Sequence, residues 1–387
     1  MNSIAKKSKI NILLCMGTRP EGIKLAPVVN LLKKMSKTFD FKICSTGQHK
    51  EMLDQVLDFF EINPDYDLNL MTENQSLGHL SSRILNKMSK VLDEVSPDVL
   101  LIQGDTTTAF LTALSAFYRK IRVGHIEAGL RTYDKFNPFP EEMNRQLISR
   151  VTDFHFAPTR KAYDDLIGEN ISRQNIIVTG NTIVDAVLWG IKKIMKSKKI
   201  PENIELFERL ESKQKIILVT MHRRESFGRD IENICSALKT VALSYDGIQI
   251  VYPVHLNPNV RKPVFELLGK VDNIKLIDPL GYESFLWLMK KAYFIVTDSG
   301  GIQEEAPTLK KPVLVIRKKT ERAESLKMGV SRLVGTDTKN IVDNISELLN
   351  NEDSYRKMIS DKNPYGDGHA AEKILEFIYK ELGKVIL

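Results

Sequence analysis

Three acidic residues recur in one kind of setting in the first half of the chain. They are Asp105 in Gly104-Asp105-Thr106-Thr107-Thr108, Glu127 in His125-Ile126-Glu127-Ala128-Gly129-Leu130-Arg131, and Glu141 in Phe139-Pro140-Glu141-Glu142-Met143-Asn144-Arg145. Each follows a short apolar run or opens a helical pattern, where a carboxylate can take up or release a proton. Each also has a structural explanation: Asp105 as a helix cap, Glu127 as a partner that Arg131 neutralises, Glu141 and Glu142 as favourable charges on a helix dipole. Three carboxylates converging on one rim are harder to explain structurally than any one of them.

A second group of residues suits an anion. Gly17-Thr18-Arg19-Pro20-Glu21-Gly22-Ile23-Lys24 puts Arg19 and Lys24 beside a helix start without forming the GxGxxG fingerprint, so a turn with solvated charges is the alternative. In Thr297-Asp298-Ser299-Gly300-Gly301-Ile302-Gln303-Glu304-Glu305, the run Ser299, Gly300, Gly301 frees backbone N–H groups of the kind that hold a pyrophosphate. Glu305, a turn further on, is placed for sugar hydroxyls; a glycine-rich turn with acidic helix-start residues is the alternative. Arg317 and Arg322 would add to the positive field. His222, followed by Arg223 and Arg224, can bind phosphate or move a proton, and His255 repeats the idea with less charge; a structural histidine is the alternative for both.

These residues need a frame. Short Ile- and Val-rich runs alternate with longer helical patterns, the rhythm of parallel strands covered on both faces. The expected strands of the first half are Ile10–Cys15, Phe41–Ser45, Val99–Ile102, Val123–Ile126, Phe154–Phe156 and Ile176–Val178. Helices are expected over Ile23–Met35, Glu51–Phe60, Leu77–Glu94, Thr107–Phe117 and Glu142–Val151. After a polar connection, Lys192–Gln214, the alternation restarts with Ile216–Val219, Ile248–Val251, Ile274–Ile277, Phe294–Val296, Val313–Val315 and Leu333–Val334. A turn-rich break, Asn363-Pro364-Tyr365-Gly366-Asp367-Gly368, precedes a last helix from about His369 to Leu382. The pattern predicts an α/β protein of two Rossmann-like, doubly wound parallel-sheet domains facing each other across a cleft. One spans 1–180 and the other 181–365, with the helix of 366–387 packing back on the first. Ligands of such sheets bind outside the carboxyl ends of the strands, which is where the candidate residues fall.

Composition agrees. A chain of 387 residues suits two domains at roughly 150 residues each. Its 27% charged and 42% apolar content excludes disorder, collagen and coiled coil. The net charge of +7 is spread thinly, densest at Lys6-Lys7-Ser8-Lys9 and Lys192 to Lys199, without the basic stripe of a nucleic-acid binder; an anionic small ligand explains it equally well. Cys15, Cys44 and Cys235 contain no CxxC pair, which points away from disulfides and zinc and towards a reducing cytoplasm. No run approaches the roughly 20 apolar residues that span a bilayer, and Ile10 to Met16 reads as a strand rather than a signal peptide.

Taken in order, Gly17 to Glu21, Gly104 to Thr108, His125 to Arg131, Pro140 to Arg145, His222 to Glu225, Asp298 to Glu305 and Asn363 to Gly368 resemble bacterial non-hydrolysing UDP-N-acetylglucosamine 2-epimerase. The resemblance runs from about Ile10 to the last helix. It implies a fold of the GT-B type and reversible epimerisation at C2, giving UDP-N-acetylmannosamine. The route it implies is anti elimination of UDP, a 2-acetamidoglucal intermediate and re-addition of UDP, with no cofactor and no metal. By the same resemblance Asp105, Glu127 and Glu141 carry the acid/base work, and His222 stabilises the departing diphosphate. Arg19 meets the phosphates, Ser299, Gly300 and Gly301 cradle them, Glu305 binds the ribose, Phe285 and Arg322 lie near the nucleotide, and Lys24 is a weaker correspondence. Gln48, Arg223 and His255 match residues associated with activation by a second UDP-N-acetylglucosamine, although Glu51 and Asn74 depart from one form of that pattern; Ala323 stands where the family usually has Pro. The resemblance further implies a cytoplasmic homodimer, with UDP-N-acetylglucosamine and UDP as its small-molecule partners and no nucleic acid or membrane. Its product would enter cell-surface polysaccharide biosynthesis.

Three rivals remain. A hydrolysing epimerase tends to carry Arg where this chain has Thr106. An epimerase of a related diacetamido UDP sugar fits less well with Glu127-Ala128-Gly129-Leu130-Arg131. A catalytically silent nucleotide-sugar binding protein would not need all four acid/base candidates.

Overall fold

A parallel strand with helices on both sides buries both faces, so it runs apolar without alternation. The strand β4 (Val99–Gln103) shows this, with all five residues buried. The computed structural model describes residues 9–47, 50–70, 75–197, 214–223 and 227–383. Outside them lie 6–8 of the basic start, 198–213 of the polar connection, and Gln48, Asn74, Arg224 and Glu225. The chain forms two compact units, Met1–Ala186 with Tyr365–Leu387, and Val187–Pro364.

The first unit holds β1 (Ile10–Met16), β2 (Phe39–Ser45), β3 (Tyr66–Asp67), β4, β5 (Arg122–Ile126), β6 (Phe154–Ala157) and β7 (Ile176–Val178). They form one parallel sheet in the order β3-β2-β1-β4-β5-β6-β7. The sequence predicts every strand but β3, which has only two residues, neither of them buried, and no period to read. The first helix, Arg19–Lys34, begins earlier than the expected Ile23. Thr18 and Glu21 form a reciprocal capping box there, and proline is tolerated in a first turn.

The closing helix, Ala370–Gly383, belongs to the same unit. Its Phe377 meets Phe154 and Phe156 edge to face at 5.5 and 5.8 Å between ring centroids. Asp185 accepts the N–H groups of Ala370 and Ala371 at 3.3 and 3.0 Å. Where the chain returns, a Cβ on Gly366 would lie 3.1 Å from Gly180 Cα, so the turn-rich break seen in the sequence serves a close backbone approach.

The second unit holds β8 (Lys215–Thr220), β9 (Ile248–Pro253), β10 (Ile274–Ile277), β11 (Phe294–Thr297), β12 (Val313–Val315) and β13 (Ser331–Leu333). The order is β10-β9-β8-β11-β12-β13, again parallel throughout. Ile217, Val219, Ile250, Phe294, Val296 and Leu314 from the strands join Ile234, Leu238 and Ile345 from helices in its core. Both units are therefore doubly wound parallel α/β domains, as the alternation predicts. In each the strand order reverses beside the first strand, between β1 and β4 and between β8 and β11. Among the described residues no helix is long and apolar enough to cross a membrane.

His125 and His155 are register partners on β5 and β6, and both are buried. The Nε2–H of His125 donates to Gly104 O at 2.7 Å. Burial pushes His125 down to about 3, and burial with the nearby Arg131 charge pushes His155 down to about 4. Both values lie below the 6.5 of an unperturbed imidazole, so between them the unfolded chain binds more protons than the folded one. This contribution to stability should be present in full above about pH 6.5 and decline towards pH 4, at up to about 1.4 kcal/mol per pH unit for each histidine. Urea unfolding across this range tests it. His155→Gln should flatten the decline, and an unchanged slope would place the acid sensitivity elsewhere.

Candidate functional site

In the first unit the turns after β1, β4 and β5 carry the candidate groups. After β4, Gly104 takes a φ of +76° and the helix Thr107–Phe117 begins. Thr106 is its cap, accepting the Ala109 N–H at 3.1 Å, so Asp105 is not occupied as a cap. The Asp105 carboxylate instead accepts from Arg145, at 2.8 Å from Nε and 2.7 Å from Nη2, and its backbone carbonyl accepts from Asn144 Nδ2 at 2.9 Å. One helix, Glu141–Val151, thus holds Asp105 at two points.

Glu127, directly after β5, has a φ of +68°. Its Oε2 accepts from Gln103 Nε2 at 2.8 Å and pairs with the Lys24 ammonium. Arg131 does not neutralise it. That guanidinium is buried against Glu169, at 2.6 and 3.0 Å, and donates to Ser149 at 2.8 Å. Lys24, which the sequence places near an anion, sits buried on Glu127; Arg19 is half-buried at the first position of its helix.

The two glutamates at 141 and 142 part company. Glu142 accepts the N–H groups of Thr132 and Tyr133 at 3.0 and 3.1 Å, Gln146 Nε2 at 2.9 Å and Arg145 Nη1 at 3.1 Å. Burial works against its charge, but these donors hold the carboxyl below its ordinary value. Glu141 is half-buried and has no hydrogen-bond or ion-pair partner among the described residues.

In the second unit the carboxylate of Asp298, wholly buried at the end of β11, accepts the N–H groups of His222 and Arg223 at 2.9 and 2.8 Å. Its other oxygen stands 3.1 Å from His222 Nδ1. Burial raises this carboxyl, yet His222 and the two N–H groups outweigh it and hold the group below its ordinary value. Nδ1 thus lies close to the buried carboxylate, on a side chain that is 44% exposed. The ring of His255, after β9, lies 6.1 Å from that of His222, and its Nδ1 accepts from the Asn257 N–H at 3.1 Å. Burial and the neighbouring His222 lower the His255 pKa.

Ser299 caps the helix Gly300–Glu305. A Cβ on Gly301 would meet nothing nearer than Ser299 Oγ at 3.8 Å, so no packing within the described protein calls for glycine there. A Cβ on Gly300 would lie 3.3 Å from Arg322 Nη2. Arg322 pairs with buried Glu304 at 2.6 Å and with Glu321 at 3.3 Å, and Glu321 also takes Arg317 at 2.9 Å and Arg223 at 3.5 Å. Against the cost of burial, Arg322, Arg317 and Arg223 hold the Glu321 carboxyl down to about 2. Glu305 is half-buried at the end of its helix, and Phe285 is half-buried on the helix Tyr282–Lys291. Gln48 lies outside the described residues.

The geometry adds Gln103, Arg145, Asp298, Glu304 and Glu321 to the residues singled out from sequence. Arg145, Asp298 and Glu304 stand inside the quoted motifs, but their partners lie elsewhere in the chain. Among the described residues no three His, Cys, Asp or Glu side chains are grouped to hold a metal ion.

A family model described as UDP-N-acetylglucosamine 2-epimerase matches residues 32–379. The chain belongs to the UDP-N-acetylglucosamine 2-epimerase family. The UDP-N-acetylglucosamine 2-epimerase of Campylobacter jejuni is 50% identical over 373 residues, covering 95% of this chain and 97% of the relative. That of Escherichia coli (strain K12) is 51% identical over 368 residues, covering 95% and 98%. The crystal structure of UDP-GlcNAc 2-epimerase from Neisseria meningitidis bound to UDP-GlcNAc is 46% identical with a TM-score of 0.89, covering 96% of this chain and 100% of that one.

For this member of the 2-epimerase family, Lys24 and Glu127 give a direct test of how the rim is held. Their side chains are only 10% and 9% exposed. Removing the cation takes a counter-charge away from a buried carboxylate, so Lys24→Met should lower stability in urea unfolding by about 3 kcal/mol. Adding Glu127→Gln should recover most of that loss. Equal losses in the single and double variants would mean that the two groups are not coupled.

Proposed function

We propose that the chain interconverts UDP-N-acetylglucosamine and UDP-N-acetylmannosamine with the nucleotide retained in the product. The carrying observation is the unequal treatment of carboxylates on the first unit's rim. Glu142 is taken up by structural donors, whereas Glu141 has no partner among the described residues, Asp105 is held by Arg145 and Glu127 by Lys24. Inverting a carbon by removing its proton from one face and returning one to the other calls for two positioned acid/base groups. This rim offers three. Relatives about half identical in sequence carry the name of that activity, and one of similar fold is described bound to UDP-GlcNAc.

In the proposed reaction a rim carboxylate takes the C2 proton while the C1–O bond to the diphosphate breaks. The electron pair of the broken bond leaves with UDP, and a C1=C2 bond forms in an anti elimination that gives 2-acetamidoglucal. A second carboxyl group then protonates C2 on the opposite face, and UDP adds back at C1. The steps balance without an oxidant or reductant. Asp105, Glu127 and Glu141 are the acid/base groups. His222, oriented through Nδ1 by Asp298, stabilises the departing diphosphate through Nε2. Arg19, Ser299, Gly300, Gly301 and Arg322 bind the phosphates, Glu305 the ribose hydroxyls, and Phe285 lies against the nucleotide. Lys24 acts by holding Glu127. The reading extends to activation by a second UDP-N-acetylglucosamine at Gln48, Arg223 and His255, to a homodimer, and to a cytoplasmic enzyme supplying cell-surface polysaccharide synthesis.

Proton NMR of UDP-N-acetylglucosamine with the protein in D2O tests the reading. Expected is UDP-N-acetylmannosamine carrying deuterium at C2 with the nucleotide still attached. Asp105→Asn and Glu127→Gln should each lower kcat by about 10²–10⁴-fold while UDP still binds. Release of free N-acetylmannosamine and UDP would make the chain a hydrolysing epimerase, and an unchanged spectrum would overturn the proposal.

A further inference from the structure

The carboxylate of Glu21 does more than cap its own helix. Its Oε2 accepts the N–H groups of Gly17 and Thr18, both at 2.7 Å, and the Thr18 hydroxyl at 3.1 Å. A capping box accounts for the bond from the Thr18 N–H, and the Gly17 N–H and Thr18 hydroxyl add to it. Its Oε1 accepts from the Thr106 hydroxyl at 2.5 Å, and Thr106 belongs to a different turn. The β1 turn also approaches the start of the helix that follows Thr106, where a Cβ on Gly17 would fall 3.0 Å from Thr108 Oγ1. The turn that carries Arg19 is thus joined to the turn that carries Asp105, across the strand pair at which the sheet order reverses. Glu21 is buried, so an oxygen left without a donor there would be costly.

Building on the function proposed above, we infer that Glu21 and Thr106 are positioning residues for that reaction. Their bond fixes the Asp105 carboxyl relative to the Arg19 turn, and so an acid/base group relative to a phosphate contact. Thr106 serves two bonds at once, giving its hydrogen to Glu21 and its oxygen to the Ala109 N–H. Variants of the full chain can separate them. Thr106→Val removes both bonds and Thr106→Ser keeps both. Thr106→Asp keeps a capping oxygen but sets a second carboxylate against Glu21.

The measurements are kcat and KM for UDP-N-acetylglucosamine, together with amide hydrogen exchange in the peptide that contains Gly17 and Thr18. In the Val and Asp variants kcat should fall by about 10²-fold, the scale of a misplacement of about 1 Å, with KM changed by less than about threefold. Exchange at Gly17 and Thr18 should quicken in both, and Thr106→Ser should recover most of the kcat and the protection. Unchanged kcat or unchanged exchange in Thr106→Asp would overturn the inference. The underlying function stands or falls on the unsubstituted chain alone: if that chain leaves UDP-N-acetylglucosamine unaltered, the reaction is wrong. If it turns the substrate over and Thr106→Asp does so equally well, only the positioning role is wrong.

Discussion

The turn that follows a parallel strand leaves backbone N–H groups without a ladder partner, and where the strand order of each sheet reverses a buried carboxylate takes two of them. Glu21 accepts from Gly17 and Thr18 after β1, and Asp298 accepts from His222 and Arg223 after β8. Each stands where the strand order reverses, and each spans two turns. Glu21 reaches from the β1 turn to Thr106 after β4, and Asp298 reaches from the end of β11 to the β8 turn. A buried carboxylate with several donors is tolerable, whereas one without them is not. Arg19 lies two positions before Glu21, Asp105 adjoins the Thr106 that Glu21 holds, and His222 is itself bonded to Asp298, so the anchors bear directly on groups that the proposed reaction uses.

Around the anchors, charge is divided between structure and site by the partners it finds. Arg131 is buried on Glu169, Glu142 on backbone N–H groups and side-chain donors, and Glu304 on Arg322. Breaking one of these would leave a buried charge without its partner, a loss of several kcal/mol. Arg145 sits on the boundary between the two classes, bonded to Glu142 on one side and to Asp105 on the other. It ties a carboxylate with a structural task to one that the proposed reaction uses, so the position of Asp105 depends on how the helix Glu141–Val151 is packed.

The strands are legible in the sequence because burial on two faces leaves an unbroken apolar run, as in Val99–Gln103. β3 is not, because its two residues, Tyr66 and Asp67, pair only with Cys44 and Ser45 and are not buried. The candidate site is legible to the extent that strand ends concentrate glycine, hydroxyl and acidic residues. Choice of partner is a different matter. Neighbours in the chain make Arg131 the natural counter-ion for Glu127 and Asp105 the natural cap of the next helix, yet Lys24, 103 positions away, is the counter-ion and Thr106 is the cap. No local period carries a contact of that separation, and only the sheet order brings the turns after β1, β4 and β5 side by side.

Glu127 shows why the arrangement is better explained by chemistry than by stability. Its φ of +68° is left-handed, a conformation that costs a residue with a full side chain on the order of 1 kcal/mol. The same turn has a second left-handed position, Gly129 at φ +91°, where a Cβ would lie 2.2 Å from the carbonyl oxygen of Ala162. Glycine thus stands where there is no room for a side chain, and glutamate stands where there is room but also strain. Lys24 and Gln103 offset part of the cost of burying that carboxylate. A well-packed neutral pair would avoid the desolvation altogether, because a buried ion pair is at best a weak source of stability. A charged side chain kept in a strained turn, at a strand end beside Asp105, has its best physical account in the proton transfer proposed for it.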